Sequence, residues 1–281
     1  MILIADSGST KTDWRLVDGK KNIHQFQTSG LNPFFLNEDQ IAETIHRELM
    51  LKENFTSVNE LFFYGAGCSA DKQRGQVVNA LKKNFPSAKI EVNHDLLAAC
   101  RSLCGKETGM VAILGTGSNS CFYEDEKIKQ QVPSLGYLLG DEGSGNYMGK
   151  KLLQAFFYDE LPDQVMQRFR QRFNLSKEDV LDSVYSKPHP NRFLASFMHF
   201  IFQHKNEIAL ATIVRQSFED FFIHHICKYE THKKALLHCT GSIAFYFNDI
   251  LRNVADKYEI QVGKITESPI AGLTLFHLGE Y

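Results

Sequence analysis

Two short turns carry most of the residues whose types and spacing suit chemistry. The first, Asp6-Ser7-Gly8-Ser9-Thr10-Lys11, combines small residues, backbone N–H groups, hydroxyls and a cation. Such a turn lets phosphate oxygens approach closely, because no bulky Cβ substituent stands in the way. Asp6 at its start can hold Mg²⁺ through water, since Mg²⁺ keeps much of its hydration shell. The plain alternative is an ordinary β-hairpin turn, where Gly and Ser are expected in any case. The second turn, Gly115-Thr116-Gly117-Ser118-Asn119, offers the same chemistry. Two such turns at matching places are stronger evidence than one, and together they can grip the phosphates of one nucleotide. Neither is a GxxxxGK[ST] loop or a GxGxxG dinucleotide turn.

Three further segments supply acids or a close backbone approach. Asp95, in Asn93-His94-Asp95, stands between a strand signal and a helix signal. It reads either as the helix N-cap or as a general base taking the proton of an attacking hydroxyl. Leu139-Gly140-Asp141-Glu142-Gly143-Ser144-Gly145 places two carboxylates before a helix. They suit Mg²⁺, sugar hydroxyls, or simply the positive end of that helix. Thr240-Gly241-Ser242 is a third glycine turn, against which a base or ribose can lie. Cys100 and Cys104 are four apart and lack the partners of a tetrahedral metal site. They read as a packed helix face, as does the aromatic run from Phe193 to Phe202. His224-His225 belongs to no ligand motif.

The elements that position these turns alternate between strand and helix. Met1 to Ala5 and Thr12 to Val17 read as strands, and Asp18-Gly19 is a hairpin turn into a third near Asn22 to Thr28. Ile41, Ile45 and Leu49 mark one face of a helix over Glu38 to Asn54. A strand at Leu61 to Tyr64, a helix over Asp71 to Asn84, a strand at Lys89 to Val92 and a helix from Asp95 to Leu103 follow. The second half opens the same way, with strands at Met110 to Leu114, Cys121 to Glu124 and Lys127 to Val132. A mainly helical stretch from Ser144 to Tyr229 enlarges it before strand and helix return. The repeated order predicts two related α/β domains, 1–107 and 108–281, with a ligand cleft between them.

Composition narrows the class. The 281 residues carry 31 Lys and Arg against 33 Asp and Glu, and 43% are hydrophobic. The content suffices for real cores, and the near balance of charge gives no reason to expect nucleic acid or an anionic membrane as partner. No apolar run approaches the roughly 18 residues of a membrane span. Six cysteines without a CxxC pair read as free thiols in a reducing, cytoplasmic setting.

The three motifs Asp6-Ser7-Gly8-Ser9-Thr10-Lys11-Thr12-Asp13, Leu114-Gly115-Thr116-Gly117-Ser118-Asn119 and Leu139-Gly140-Asp141-Glu142-Gly143-Ser144 occur in this order along the chain. In order and spacing they resemble the signature segments of the N-acetylglucosamine kinases. That family stands with the BadF-type ATPases in the sugar kinase, actin and Hsp70 superfamily. The resemblance implies two RNase H-like (actin-like ATPase) domains flanking an interdomain cleft that binds ATP, Mg²⁺ and an amino sugar. It assigns ATP contacts to Ser7, Gly8, Ser9, Thr10 and Lys11 on the first tip. Gly115, Thr116, Gly117 and Ser118 would do the same on the second tip, with Gly241 and Ser242 on the adenosine side. It makes Asp95 the catalytic base, Asn32 a sugar-binding asparagine, and Asp141 a residue near the sugar or the metal; Asp6, read from its own turn, is the other metal-side acid. The vertebrate enzymes' sugar-contacting Gly-Trp-Gly segment falls at Ser134-Leu135-Gly136, where leucine replaces the aromatic residue. The implied reaction is phosphorylation of the C6 hydroxyl of N-acetylglucosamine. Glucosamine and N-acetylmuramic acid are alternative substrates, and an iron–sulfur activator ATPase is an alternative function. A homodimer is a further expectation.

Overall fold

The computed structural model of the protein describes residues 1–53 and 55–281. Its chain forms two compact units, Met1–Lys106 with Pro269–Tyr281, and Glu107–Ser268. In the first, β1 (Ile2–Ser7), β2 (Lys11–Val17) and β3 (Ile23–Ser29) form an antiparallel meander. β4 (Glu60–Gly65) then pairs parallel with β1, and β5 (Lys89–His94) parallel with β4, giving the order β3-β2-β1-β4-β5. In the second unit β6 (Gly109–Leu114), β7 (Ser118–Glu124), β8 (Lys127–Gln131), β9 (Leu237–Thr240) and β10 (Val262–Thr266) repeat that topology as β10-β9-β6-β7-β8. The predicted pair of RNase H-like domains is therefore present as two sheets of equivalent strand order and direction.

The apolar start of the chain follows from its burial. Leu3 and Ala5 face one core while Ile4 faces another, and all three are fully buried. A central strand covered on both faces needs a continuous apolar run rather than alternation. On one face of the first sheet pack α1 (Glu38–Ile45) and α2 (Asp71–Asn84), through Ile41, Ile45, Val77 and Leu81. On the other face lies α3 (Asp95–Leu103), joined by the C-terminal helix, whose Ile270 and Leu273 pack with Ile4, Tyr64 and Ala98.

That C-terminal packing differs from the expected division at 107/108. The last thirteen residues, Pro269–Tyr281, belong to the first unit. They cover an apolar sheet face that α3 alone leaves partly open. The helix predicted over Glu38 to Asn54 also differs. α1, capped by a reciprocal Asn37–Gln40 pair, ends at Ile45 and runs into a π-helical turn, His46–Met50. The wider turn departs from the regular period that the sequence reading extended. The final residue of that predicted helix, Asn54, lies outside the described residues.

In the second unit a short helix, α4 (Gly136–Leu139), precedes the predicted helical stretch. That stretch comprises α5 (Gly145–Phe157), α6 (Asp163–Phe173), α7 (Lys177–Tyr185), α8 (Pro190–Ala195), α9 (Met198–Gln203) and α10 (Ile208–His224). Breaks at Pro162 and around Lys187 to Pro190 fall where expected. Phe197 and Phe200 are buried in the core that these helices share with β6, as the aromatic run suggested. After β9 come α11 (Ser242–Tyr246) and α12 (Asn248–Lys257), and after β10 comes α13 (Ile270–Leu278) of the first unit. Among the described residues no helix is long and apolar enough to cross a membrane.

Candidate active site

In the first unit the chemistry-bearing residues gather at the carboxyl ends of the parallel strands, where ligands of open α/β sheets bind. Ser7 of β1 is in register with Gly65 of β4, and Gly65 with His94 of β5. Asp95 is the next residue after β5, so two strand spacings, about 10 Å, separate it from the end of β1.

The first tip is fixed by its neighbours. Gly8 N–H donates to the Lys11 carbonyl (2.9 Å), and Gly30 N–H donates to the Thr10 carbonyl (3.0 Å). A Cβ on Gly30 would lie 2.5 Å from the Gly8 oxygen, so only glycine allows this approach. The buried Ser7 hydroxyl bonds Thr12 Oγ1 (2.8 Å) and accepts the Leu31 N–H (3.1 Å). Thr10 and Lys11 are exposed, with Lys11 Nζ 2.9 Å from Asp13. Asp6, opposite Asp13 on β2, is half-buried. Asn32 is buried; its Nδ2 donates to Ser9 Oγ (2.8 Å) and its Oδ1 accepts the Phe34 N–H (2.9 Å). The asparagine singled out for the sugar is thus tied directly to the tip singled out for phosphate.

Asp95 does not cap its helix. His94 is the N-cap of α3, its Nδ1 accepting the Leu97 N–H (3.3 Å). Burial and the Arg74 charge hold the His94 imidazole below its ordinary pKa, which favours the neutral ring that this bond requires. Asp95 Oδ1 accepts the adjacent Leu96 N–H (2.9 Å), and the residue's own N–H also lies against the carboxyl. Burial pushes the Asp95 carboxyl up to about 6, against the opposing pull of those N–H groups. A half-buried carboxylate near neutrality, at a strand end and without a capping duty, suits proton abstraction.

The second unit assembles its own cluster at the equivalent edge. Leu114 pairs with Ser118, so the tip shrinks to Gly115-Thr116-Gly117, and Ser118 opens β7. Gly145 N–H donates to the Gly115 carbonyl (2.8 Å) and Asn146 N–H to the Thr116 carbonyl (3.0 Å), so the start of α5 grips the tip. Asp141 is buried in the left-handed region (φ 61). Its Oδ1 accepts the Ser118 N–H (3.3 Å), and its Oδ2 accepts Asn146 Nδ2 (2.6 Å). Burial raises the Asp141 carboxyl, and those two donors oppose the rise. Gly241 sits at φ +113, where a Cβ would fall on the Leu114 carbonyl, and Ser242 is exposed at the start of α11. Ser134 Oγ donates to the Ser118 carbonyl (3.0 Å); Leu135 is 60% exposed and Gly136 adopts φ +72.

Each unit therefore brings its own predicted residues together: Ser7 to Lys11, Asn32 and Asp95 in one, and Gly115 to Ser118, Ser134, Asp141 and Gly241 in the other. The sequence reading missed two partners here. His225, treated as motif-free, is buried with Nε2 3.2 Å from Glu142 of the acidic segment and stacks on Phe221. Asn146 was not singled out at all, although three glycines and an N-cap serine, Ser144, precede it closely.

No protein-family model matches the chain, and no curated protein sequence matches it. Solved structures do. A Porphyromonas gingivalis protein provisionally described as an N-acetylglucosamine kinase is 39% identical, with 99% of each chain covered and a TM-score of 0.95. A Chromobacterium violaceum protein with the same provisional description shares 15% identity over 98% of both chains, at a TM-score of 0.77. A Streptomyces griseus glucokinase of the ROK family, solved with glucose and AMPPNP, shares 13% identity over 98% of this chain and 97% of its own, at a TM-score of 0.55. The last two show the fold alone. The first, at its identity and nearly complete coverage, shows that the chain belongs to the N-acetylglucosamine kinase family of ATP-dependent sugar phosphotransferases with the actin-like ATPase fold.

Proposed function

We propose that the protein transfers the γ-phosphoryl group of ATP to the C6 hydroxyl of an amino sugar, N-acetylglucosamine foremost. The observation that carries this reading is Asp95: half-buried, freed from capping by His94, raised to about 6, and at the strand edge that also presents the first tip. In this reading Asp95 accepts the hydroxyl proton as the oxygen attacks phosphorus. A base with that pKa is ionised at neutral pH yet close enough to it to take the proton efficiently. Ser7 to Lys11 and Gly115 to Ser118 supply N–H groups and hydroxyls for phosphate oxygens, and Gly241 and Ser242 meet the adenosine side. Asn32 contacts the sugar, with Ser134, Leu135 and Gly136 as further sugar-side residues.

The donor chemistry fits a hydrated Mg²⁺. Asp6 offers a half-buried carboxylate, while both Asp141 oxygens already accept hydrogen bonds, which favours contact through water over direct ligation. Bound Mg²⁺ would offset charge on the transferring phosphoryl group. The remaining rate enhancement comes from positioning and from N–H groups fixed before reaction.

An iron–sulfur activator finds less support. A cluster shared at a surface needs accessible thiolates, and Cys68, Cys100, Cys104, Cys121 and Cys239 are buried. Burial pushes the Cys68 and Cys239 thiols up to about 12, away from the thiolate form that binds metal. ATP as co-substrate and six free cysteines support a cytoplasmic enzyme.

The test is ADP release from ATP·Mg²⁺ across N-acetylglucosamine, glucosamine, N-acetylmuramic acid and glucose. Release that depends on N-acetylglucosamine and outpaces the other sugars supports the reading. ATP turnover indifferent to every sugar would sink it.

A further inference from the structure

Asn146 belongs to none of the motifs that define the family, yet it touches the second tip by two routes. Its backbone N–H donates to the Thr116 carbonyl (3.0 Å), and its side chain donates to Asp141 Oδ2 (2.6 Å). Asp141 in turn accepts the Ser118 N–H through Oδ1 (3.3 Å) and packs against Gly117, where a Cβ would lie 2.9 Å from Oδ2. The residue is fully buried, and its own Oδ1 has no partner among the described residues. Leaving a buried amide oxygen unpaired costs free energy that an apolar side chain would avoid. The arrangement makes sense if the other half of the amide is needed where it is.

We propose that Asn146 is a positioning residue, which orients the Asp141 carboxylate so that it holds the second tip in its nucleotide-binding shape. The inference rests on reading Gly115 to Ser118 as nucleotide-binding. Asp141 then acts on the nucleotide through Ser118 rather than as a direct metal ligand. Its two oxygens face two donors, the Ser118 N–H and the Asn146 amide. An asparagine at 141 has one oxygen only and must turn an NH₂ toward one of those donors. An aspartate at 146 sets two carboxylates against each other. The double exchange D141N/N146D satisfies both contacts, because the oxygen of an asparagine at 141 meets the Ser118 N–H while its NH₂ meets the new carboxylate.

The experiment measures nucleotide binding directly, with a fluorescent ATP analogue and Mg²⁺, alongside steady-state kinetics. Circular dichroism and thermal melts check that each variant is folded. N146D and D141N are each expected to weaken nucleotide binding about tenfold or more, the loss of one charge-assisted bond. For N146D the KM for sugar should stay within about twofold, and D141N/N146D should recover nucleotide binding to within about threefold of wild type. Nucleotide affinity unchanged in N146D overturns the inference, as does a double exchange that binds as weakly as D141N, the result expected of a direct metal ligand. Because nucleotide binding is read without turnover, a wild type that binds ATP but phosphorylates no sugar would refute the proposed reaction while leaving this inference to be judged on its affinities.

Discussion

Replacing Asp95 by asparagine should cripple turnover and yet stabilise the protein, because the same burial underlies both effects. The carboxyl is raised from the ordinary aspartate value of 3.8 to about 6. At 1.36 kcal/mol per pKa unit, a rise of about 2 units corresponds to roughly 3 kcal/mol. Asp95 is only half-buried, so solvent screening reduces this to about 1–2 kcal/mol. The folded carboxyl holds its proton more tightly than the unfolded one. Between pH 4 and 6 the folded state therefore carries more protons, and stability falls as pH rises. The contribution is fully present below about pH 4 and lost above about pH 6. At pH 8 the wild type bears the cost of an ionised, partly desolvated carboxylate, and an asparagine does not. The amide oxygen can still accept the Leu96 N–H. Calorimetry, which can resolve the transitions of two units, should show the D95N variant more stable by about 1–2 kcal/mol at pH 8 and equal to wild type near pH 4. Turnover should fall by about 10²–10⁴. A variant less stable at pH 8, or a gain of the same size at both pH values, would refute the account of Asp95 as a carboxylate held against its desolvation.

The same group sets the pH dependence of catalysis: kcat/KM should fall below about pH 6 with unit slope as Asp95 takes up a proton, and a flat profile down to pH 5 would exclude it as the base. Gly241→Ala should cost about 2–4 kcal/mol, because φ +113 is strained for alanine and its Cβ would strike the Leu114 carbonyl; chemical denaturation of the variant checks this. Leu273→Ala should destabilise the protein by about 2–5 kcal/mol, since Leu273 is fully buried beside Ile4 and Tyr64. Its effect should fall on the transition of the unit that contains β1, and an effect confined to the other unit would contradict the placement of α13.

Much of this architecture was legible where local pattern and burial agree. The run Met1 to Ala5 announced a central strand because both of its faces are covered. The Asp18-Gly19 turn announced β2 and β3, and Asp18 Oδ1 indeed accepts the Lys20 and Asn22 N–H groups, each at 2.8 Å. The matching order of elements in the two halves reflects two sheets of one topology. What stayed hidden depends on three-dimensional choice. The return of helix near the end of the chain was readable, but the sequence does not say which sheet Ile270–Leu278 covers, and it covers the one to which β10 does not belong. Aspartate is the common cap and histidine an uncommon one, so the sequence favoured Asp95 for a duty that His94 performs. Glu142 and His225 are 83 residues apart, and no local spacing could pair them. At the site, the turns beside the tips were readable at Gly30 and Gly241, where close backbone approach demands glycine. Asn146 was not, because its contacts are set by the turn of α5 against the tip.

Phosphorylation of an amino sugar through Asp95 leaves products that can be followed directly. Its most direct test incubates wild type and the D95N variant with ATP·Mg²⁺ and N-acetylglucosamine and follows the products by phosphorus NMR. ADP and a sugar 6-phosphate should appear in equal amounts with wild type, and at no more than about one-hundredth of that rate with the variant. Equal product from both proteins, or ADP without any sugar phosphate, would contradict it.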